Sequence, residues 1–431
     1  MKIAGILLLL FIILVLVLSI PAIQTSLGNY VTKRINSDFK TNINVDKVSL
    51  QFNGDVELKQ IYIEDYRQDT LISIAELNTS ILGVRNLING QLVFGDIDIE
   101  NLNFNIKTYK DETDTNLDVF VARFDSDNPR SEKSNFLLSS SDVSIYNSVF
   151  KFIDENRETT KLLHFEDLNI NATNFLINGS DVNARINTLN FVDSRGVTVK
   201  NMMTDFSYTL TDMTFANLSI KTPPNSELKG DLKFSYDRAD FKYFTDKVLV
   251  SASFKDSKVK LDELNTFYNE FGVNQTATFS TDLSGTLNDL QTSNLKLNTN
   301  RNTRIYGDIS FKNLFNKEEG NFYMNGKFRN LSSTYKDLKA LLPNVLGAAI
   351  PSSFDRLGYF TVVGNSQITS STVVADIQID TELGFVDSNL RISKINDIDN
   401  AAYKGNIIFE EFDFGTFLDS PPLVKHLLIL M

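Results

Sequence analysis

Two hydrophobic patterns divide the chain. Ile3 to Ile20 is an unbroken apolar run without a charge, closed by Pro21. From Val45 onward apolar and polar residues alternate with a period of two, as in Val48/Leu50/Phe52, Val56/Leu58 and Ile61/Ile63, and the pattern recurs as far as Ile407/Phe409. The first pattern predicts a membrane-spanning helix. Its length at ~1.5 Å per residue is ~27 Å, close to the ~30 Å hydrocarbon core of a bilayer. Ile3, Ile6, Leu10, Phe11, Leu14, Leu18 and Ile20 would be its lipid-facing anchor residues. A cleaved leader has a shorter apolar stretch, ~7–15 residues, and small residues before the cut. Here a cut after Ala22 puts Ile20 at −3, and a cut one residue earlier puts Pro21 at −1. An uncleaved signal-anchor over 1–24 fits better, with a short cytoplasmic end and the rest of the chain translocated.

The second pattern is that of half-buried antiparallel strands. Its phase slips every few residues, so Ile97/Ile99 and Leu102/Phe104/Ile106 read as separate short strands, as do Val143/Ile145 and Phe150/Phe152. Asn, Asp, Gly and Ser sit at the corners. About twenty-five such strands at ~4.8 Å spacing would make a sheet on the order of 120 Å long. Strands this numerous, with brief helical interruptions, exclude a doubly wound α/β fold. One apolar and one polar face on every strand suit a sandwich, a barrel or a long open groove.

Three stretches break the alternation. Leu27, Tyr30, Val31 and Ile35 fall on one helical face, which predicts a short amphipathic helix or linker over 25–44, either with Lys33 and Arg34 touching lipid headgroups or packed on the domain behind it. Lys110 to Asn135 is polar and charged around the apolar island Val119 to Phe124, a mobile surface excursion. Asp111, Asp114 and Asp118 within it lack the spacing and the glycine of a calcium loop. Over 334–357, Thr334 and Asp337 make a helix start, and Leu338, Leu341, Leu342, Val345 and Leu346 an apolar stripe divided by Pro343. This predicts a helix lying on one side of the sheet, as cover, gate or ordinary core.

Composition narrows the chemistry. The 431 residues carry a net charge of −12 with both signs mixed, so no basic stripe tracks a phosphate backbone and nucleic acid is not an expected partner. There is no Cys, and the only two histidines are His164, inside an alternating strand, and His426. With no Cys and no nucleophile elbow, these two histidines do not convincingly build a Ser/His/Asp or Cys/His triad, or a thiolate or histidine metal site. The pairs Glu318-Glu319 and Glu410-Glu411 are ordinary surface carboxylates. The sequence predicts no enzyme, no cofactor and no metal.

An N-terminal span, a Pro, a short helix and then "INVDKVSLQFNGDVELKQIYIEDYRQDTLISIAEL" resemble the start of TamB and the wider AsmA-like proteins. "LINGQLVFGDIDIENLNFNIKTY", "LKGDLKFSY", "DLSGTLNDLQTSNLKLNT" and "YGDISFKNL" resemble the repeated β elements of that family, in a style similar to its versions from Bacteroidota. The likeness covers Met1 to about Leu418. It implies an inner-membrane anchor carrying a long, curved, taco-like β-groove over 45–418 in the periplasm, through which phospholipid acyl chains pass toward the outer membrane. It also implies a possible TamA-like outer-membrane β-barrel partner and, as the alternative role, help in inserting barrel proteins. The candidate acyl-contacting residues are Phe94, Ile97, Ile99, Phe104, Ile106, Phe150, Phe152, Phe234, Phe254 and Phe311. The family's C-terminal domain is missing, and 419–431 leaves the β pattern abruptly, so the chain reads as an N-terminal fragment with an atypical tail.

Overall fold

The computed structural model describes residues 21–51, 54–82, 91–124, 137–157, 161–223, 225–237, 240, 243–266, 271–315, 322–343, 352–395, 400–420 and 426–430. The anchor residues Ile3, Ile6, Leu10, Phe11, Leu14, Leu18 and Ile20 lie outside them, as do Val345, Leu346, Glu318 and Glu319. Among the described residues no helix is long and apolar enough to cross a membrane. The described chain is mainly β, with twenty strands and a handful of helices. It divides into two compact units, Met1–Phe215 and Ala216–Met431, the division falling within β9 (Asp212–Lys221).

Among the described residues the first unit starts with α1 (Pro21–Phe39), a longer helix than the sequence pattern predicts. Strands β1 (Asn42–Leu50), β2 (Asp55–Glu64), β3 (Thr70–Ile81) and β4 (Gln91–Thr108) then pair in chain order, each antiparallel to the last. β5 (Leu137–Asp154), β6 (Lys161–Asn178), β7 (Asp181–Asp193) and β8 (Thr198–Tyr208) continue the ladder. One pairing departs from the all-antiparallel expectation: β4 and β5 are parallel. Parallel neighbours need a long crossover, since the chain must return to the end where it began. The charged excursion is that crossover.

Its first half is ordered by specific polar contacts. Helix α2 (Asn116–Val121) starts at Thr115, whose side chain accepts from the backbone N–H of Asp118, while the Asp118 carboxylate accepts from the Thr115 N–H at 3.0 Å. Asp118 therefore serves as a helix cap. The excursion is fastened to the sheet through Asp65, only 5 % exposed. Its carboxylate accepts from the Tyr109 hydroxyl at 2.7 Å, from Asn116 Nδ2 at 3.1 Å, and from the backbone N–H groups of Arg67 and Asp69 at 2.8 and 3.0 Å. Burial pushes this carboxyl group up, but the four hydrogen bonds outweigh it and hold the pKa below the ordinary aspartate value.

The phase slips seen in the sequence are bulges inside long strands. β4, β5 and β6 are each 18 residues long, so Ile97/Ile99 and Leu102/Phe104/Ile106 belong to one strand, as do Val143/Ile145 and Phe150/Phe152. Asn147, Asp167, Asn174, Asp256 and Asn294 have φ of 50°, 50°, 54°, 46° and 54° and sit where the registers shift. One extra residue on one strand resets the alternation, so apolar side chains on both sides of it keep the same face. Asn and Asp tolerate the left-handed conformation best among non-glycine residues. The N–H that the bulge frees is taken by the neighbouring strand: Asn147 N–H donates to Asn169 Oδ1 at 3.1 Å and Asp256 N–H to Ser280 Oγ at 2.9 Å.

In the second unit, β10 (Glu227–Ser235), β11 (Leu249–Lys260), β12 (Thr276–Gly285), β13 (Leu290–Thr299) and β14 (Arg304–Lys312) pair antiparallel in chain order. β15 (Tyr323–Thr334), β16 (Tyr359–Thr369), β17 (Thr372–Thr381), β18 (Gly384–Ser393) and β19 (Ala402–Phe412) extend the ladder in the same way. β20 (His426–Leu430) pairs with β19, so the tail that departs from the alternating pattern rejoins the sheet. The other helices here are short: α3 (Phe244–Lys247), α4 (Leu261–Leu264), α5 (Tyr335–Leu341), a 3-10 turn over Ser352–Leu357 and α6 (Phe414–Leu418). Thr334 caps α5 as expected, accepting from the Asp337 N–H at 3.1 Å.

Candidate functional site

Residues directly opposite each other on neighbouring strands share a face. In the first unit this places Ile63, Ile72, Phe104, Phe150 and Phe165 in one row across β2 to β6. The rings run on from strand to strand: Phe104 to Phe150 at 5.6 Å, Phe150 to Phe165 at 5.5 Å, and Phe165 stacked on Phe191 of β7 at 4.0 Å. A second row holds Leu77, Ile99, Ile145, Ile170 and Leu189. A third holds Ile97, Val143, Ala172 and Ile186.

Ile97, Val143 and Ala172 of the third row are buried, whereas the members of the other two rows stay half-buried, as do Phe104, Phe150, Phe165 and Phe191. Lateral contact shields the flanks of each ring and leaves its outer side open. Among the described residues, the helices of this unit meet the sheet elsewhere: α1 runs along β1 and α2 meets β4. The opposite face of the same strands is polar. There Asn171 Nδ2 donates to Asp142 at 3.0 Å and to Ser144 Oγ at 3.1 Å, and Asn187 Nδ2 to Asn171 Oδ1 at 3.0 Å. The asparagines thus form a hydrogen-bonded ladder behind the apolar rows.

The second unit has an equally regular row, Phe279, Leu297, Ile305, Leu331, Val362, Ile379, Val386 and Phe409 across β12 to β19. The short helices take up both ends of it. Leu261, Ala277 and Leu341 form a buried cluster with Leu297 and Leu342 against it. Leu357, Val386 and Phe412 form another, packed by Ile379, Phe409, Phe414 and Phe417. In α5, Leu341 therefore packs as core.

Of the ten candidate residues, the structure brings seven together on the parallel pair β4–β5: Phe94, Ile97, Ile99, Phe104, Ile106, Phe150 and Phe152. Ile97 is buried at 6 % exposure and the other six are half-buried. The remaining three belong to the second unit. Phe254 is buried with its ring 6.3 Å from Phe279, Phe234 packs on Phe244 of α3 at 5.6 Å, and Phe311 is half-buried opposite Met324. The candidate set omits Phe165 and Phe191, which complete the aromatic row. Their alternation is visible in the sequence, but the bulge at Asp167 hides that they continue the Phe104–Phe150 line.

Charge plays little part in this face. His164 lies 3.3 Å from Glu166 within β6, and among the described residues no group of three or more His, Cys, Asp or Glu is placed to hold a metal ion. Compared with known protein families, curated proteins and solved structures, the chain matches none.

Proposed function

We propose that this chain is a membrane-anchored periplasmic β-groove protein, TamB-like in design, that carries phospholipid acyl chains from the inner toward the outer membrane. The observation that supports this reading is the continuous row of half-buried phenylalanines on β4 to β7, with the described helices of the unit meeting the sheet at β1 and β4. An acyl chain laid along such a face gains ~0.8 kcal/mol for each CH₂ it removes from water. The phenylalanine row itself carries no charge, so it recognises acyl chains rather than a headgroup. The apolar run Ile3–Ile20 is the anchor that brings the groove to the inner bilayer. Transfer needs no chemistry of the protein's own, and the gradient or a partner barrel supplies direction. The alternative role, templating barrel strands, requires a free sheet edge, and at β1 that edge is occupied by α1.

The test is lipid carried by the full chain purified from bacterial membranes, quantified by mass spectrometry. Phe104→Glu/Phe150→Glu/Phe165→Glu is compared with a control at exposed polar positions of β7, Asn183→Glu/Thr188→Glu. Loss of phospholipid from the first variant alone, with both folded, is the expected result. Equal lipid on both contradicts the proposal.

A further inference from the structure

The outer edge of β1 is closed by side chains that imitate a strand. Ile43, Val48 and Leu50 turn backbone groups away from β2 toward α1. Asn36 donates from Nδ2 to the Ile43 carbonyl at 2.9 Å and accepts the Ile43 N–H on Oδ1 at 2.9 Å. Gln24 donates to the Leu50 carbonyl at 2.6 Å and accepts the Leu50 N–H at 3.1 Å. The Thr25 hydroxyl contacts both groups of Val48 at 3.4 Å. A carboxamide carries the donor and acceptor of a peptide group, so each supplies what a neighbouring strand would. Gly28 allows the close approach: a Cβ there would lie 2.3 Å from Val48 Cγ2. Between these anchor points the cover lifts, leaving a cleft of about 320 Å³ beside Val45 and Asp46.

The edge beneath is competent to pair, and a second copy of the same strand matches it. Take a second β1 antiparallel to the first, centred between Asp46 and Lys47. Ile43 then falls opposite Leu50 of the second copy, Val45 opposite Val48, and Asp46 opposite Lys47. Outward-facing Ile43 meets outward-facing Leu50, as strand hydrogen bonding requires, and the two-fold axis makes the Asp46–Lys47 pairing twice. Asp46 and Lys47 are both exposed. Native proteins protect such edges by covering them.

We propose that α1 is a guard that keeps the edge of β1 from pairing with β1 of a second copy of this chain. The guard acts through side-chain hydrogen bonds and one glycine, so it is removable without touching the sheet.

The test uses the full chain in detergent micelles. The sequence contains no Cys, so Asn44→Cys/Ser49→Cys reports the pairing without background: the register sets residue 44 opposite residue 49 of the other copy. Two independent variants lift the guard on this background, Gln24→Ala/Asn36→Ala, which removes both carboxamides, and Gly28→Val, which pushes the helix off Val48. The expected result is a disulfide-linked dimer that turns from absent to the main species in both. Adding Asp46→Lys, which sets Lys against Lys, should return it to monomer. Monomers in both lifted variants, with the β1–β2 amides still protected from hydrogen exchange, overturn the proposal. So does loss of that protection in both, because α1 would then be a prop that β1 needs to form. A dimer indifferent to Asp46→Lys also overturns it.

Discussion

In the first unit, Phe104, Phe150, Phe165 and Phe191 stand in contact across four strands, half-buried, and the described helices meet the sheet at β1 and β4. In the second, Val386 and Phe409 occupy an equally regular row but lie with Leu357, Phe412, Phe414 and Phe417 in a packed cluster. Both rows come from the same period-two alternation. The difference lies in the segments that join the strands: β15 and β19 run straight into α5 and α6, which fold onto the sheet, whereas β5 to β8 are joined by turns too short to carry a cover. An alternating strand therefore states that it has an apolar face, and the connections decide whether that face becomes core or stays available to a ligand.

The sharpest way to break this comparison is a buried charge. Val386→Glu should unfold the second unit, because a carboxylate placed among Leu357 and Phe412 has no partner. Phe150→Glu should leave the first unit folded, since the new carboxylate reaches water over the open side of the row. Circular dichroism and limited proteolysis of both variants check this, and equal unfolding would erase the distinction between the faces. Truncation gives the next largest contrast. Phe412, 1 % exposed, should cost about 3–5 kcal/mol on replacement by Ala, and half-buried Phe165 about 1–2 kcal/mol, as read by denaturant unfolding.

A smaller effect comes from the crossover's fastening. The folded pKa of Asp65 lies below its unfolded value of ~3.9. Its stabilisation is therefore complete above that value and is lost as pH falls through the folded pKa. Amide exchange at Arg67 and Asp69, whose N–H groups it accepts, should accelerate below about pH 4, and Asp65→Ala should weaken the first unit by about 1–3 kcal/mol at neutral pH. The smallest effect is at a bulge. Asp308 accepts the Asn294 N–H at 2.8 Å and pairs with Arg329 at 2.8 Å, and that N–H and the guanidinium hold its carboxyl below the usual range. It is largely solvated, so Asp308→Ala should cost only about 0.5 kcal/mol, less in high salt.

Alternation over residues as far apart as Val48 and Phe409 was enough to read a mainly β chain, because period two survives wherever one face is dry. The bulges were harder. Asn101 between Ile99 and Leu102 looks like a corner, since the residue that adopts φ of 55° inside β4 is the kind that makes turns. The parallel β4–β5 pair was invisible, because it depends on where the crossover returns the chain. So was the working face of α1. Hydrophobic periodicity selects Leu27, Tyr30, Val31 and Ile35, yet Tyr30 is 64 % exposed, and the contacts to β1 come from Gln24, Thr25, Gly28 and Asn36. A helix that binds a sheet edge is selected for donors, acceptors and small size, which an apolar count cannot register.

The most direct test of the account places a photo-crosslinking benzoyl-phenylalanine in the full chain within bacterial membranes, at Phe150 in one protein and at Phe412 in another. Phospholipid adducts at position 150 and none at position 412 are what an open and a closed apolar face predict. Adducts at both positions, or at 412 alone, would contradict it.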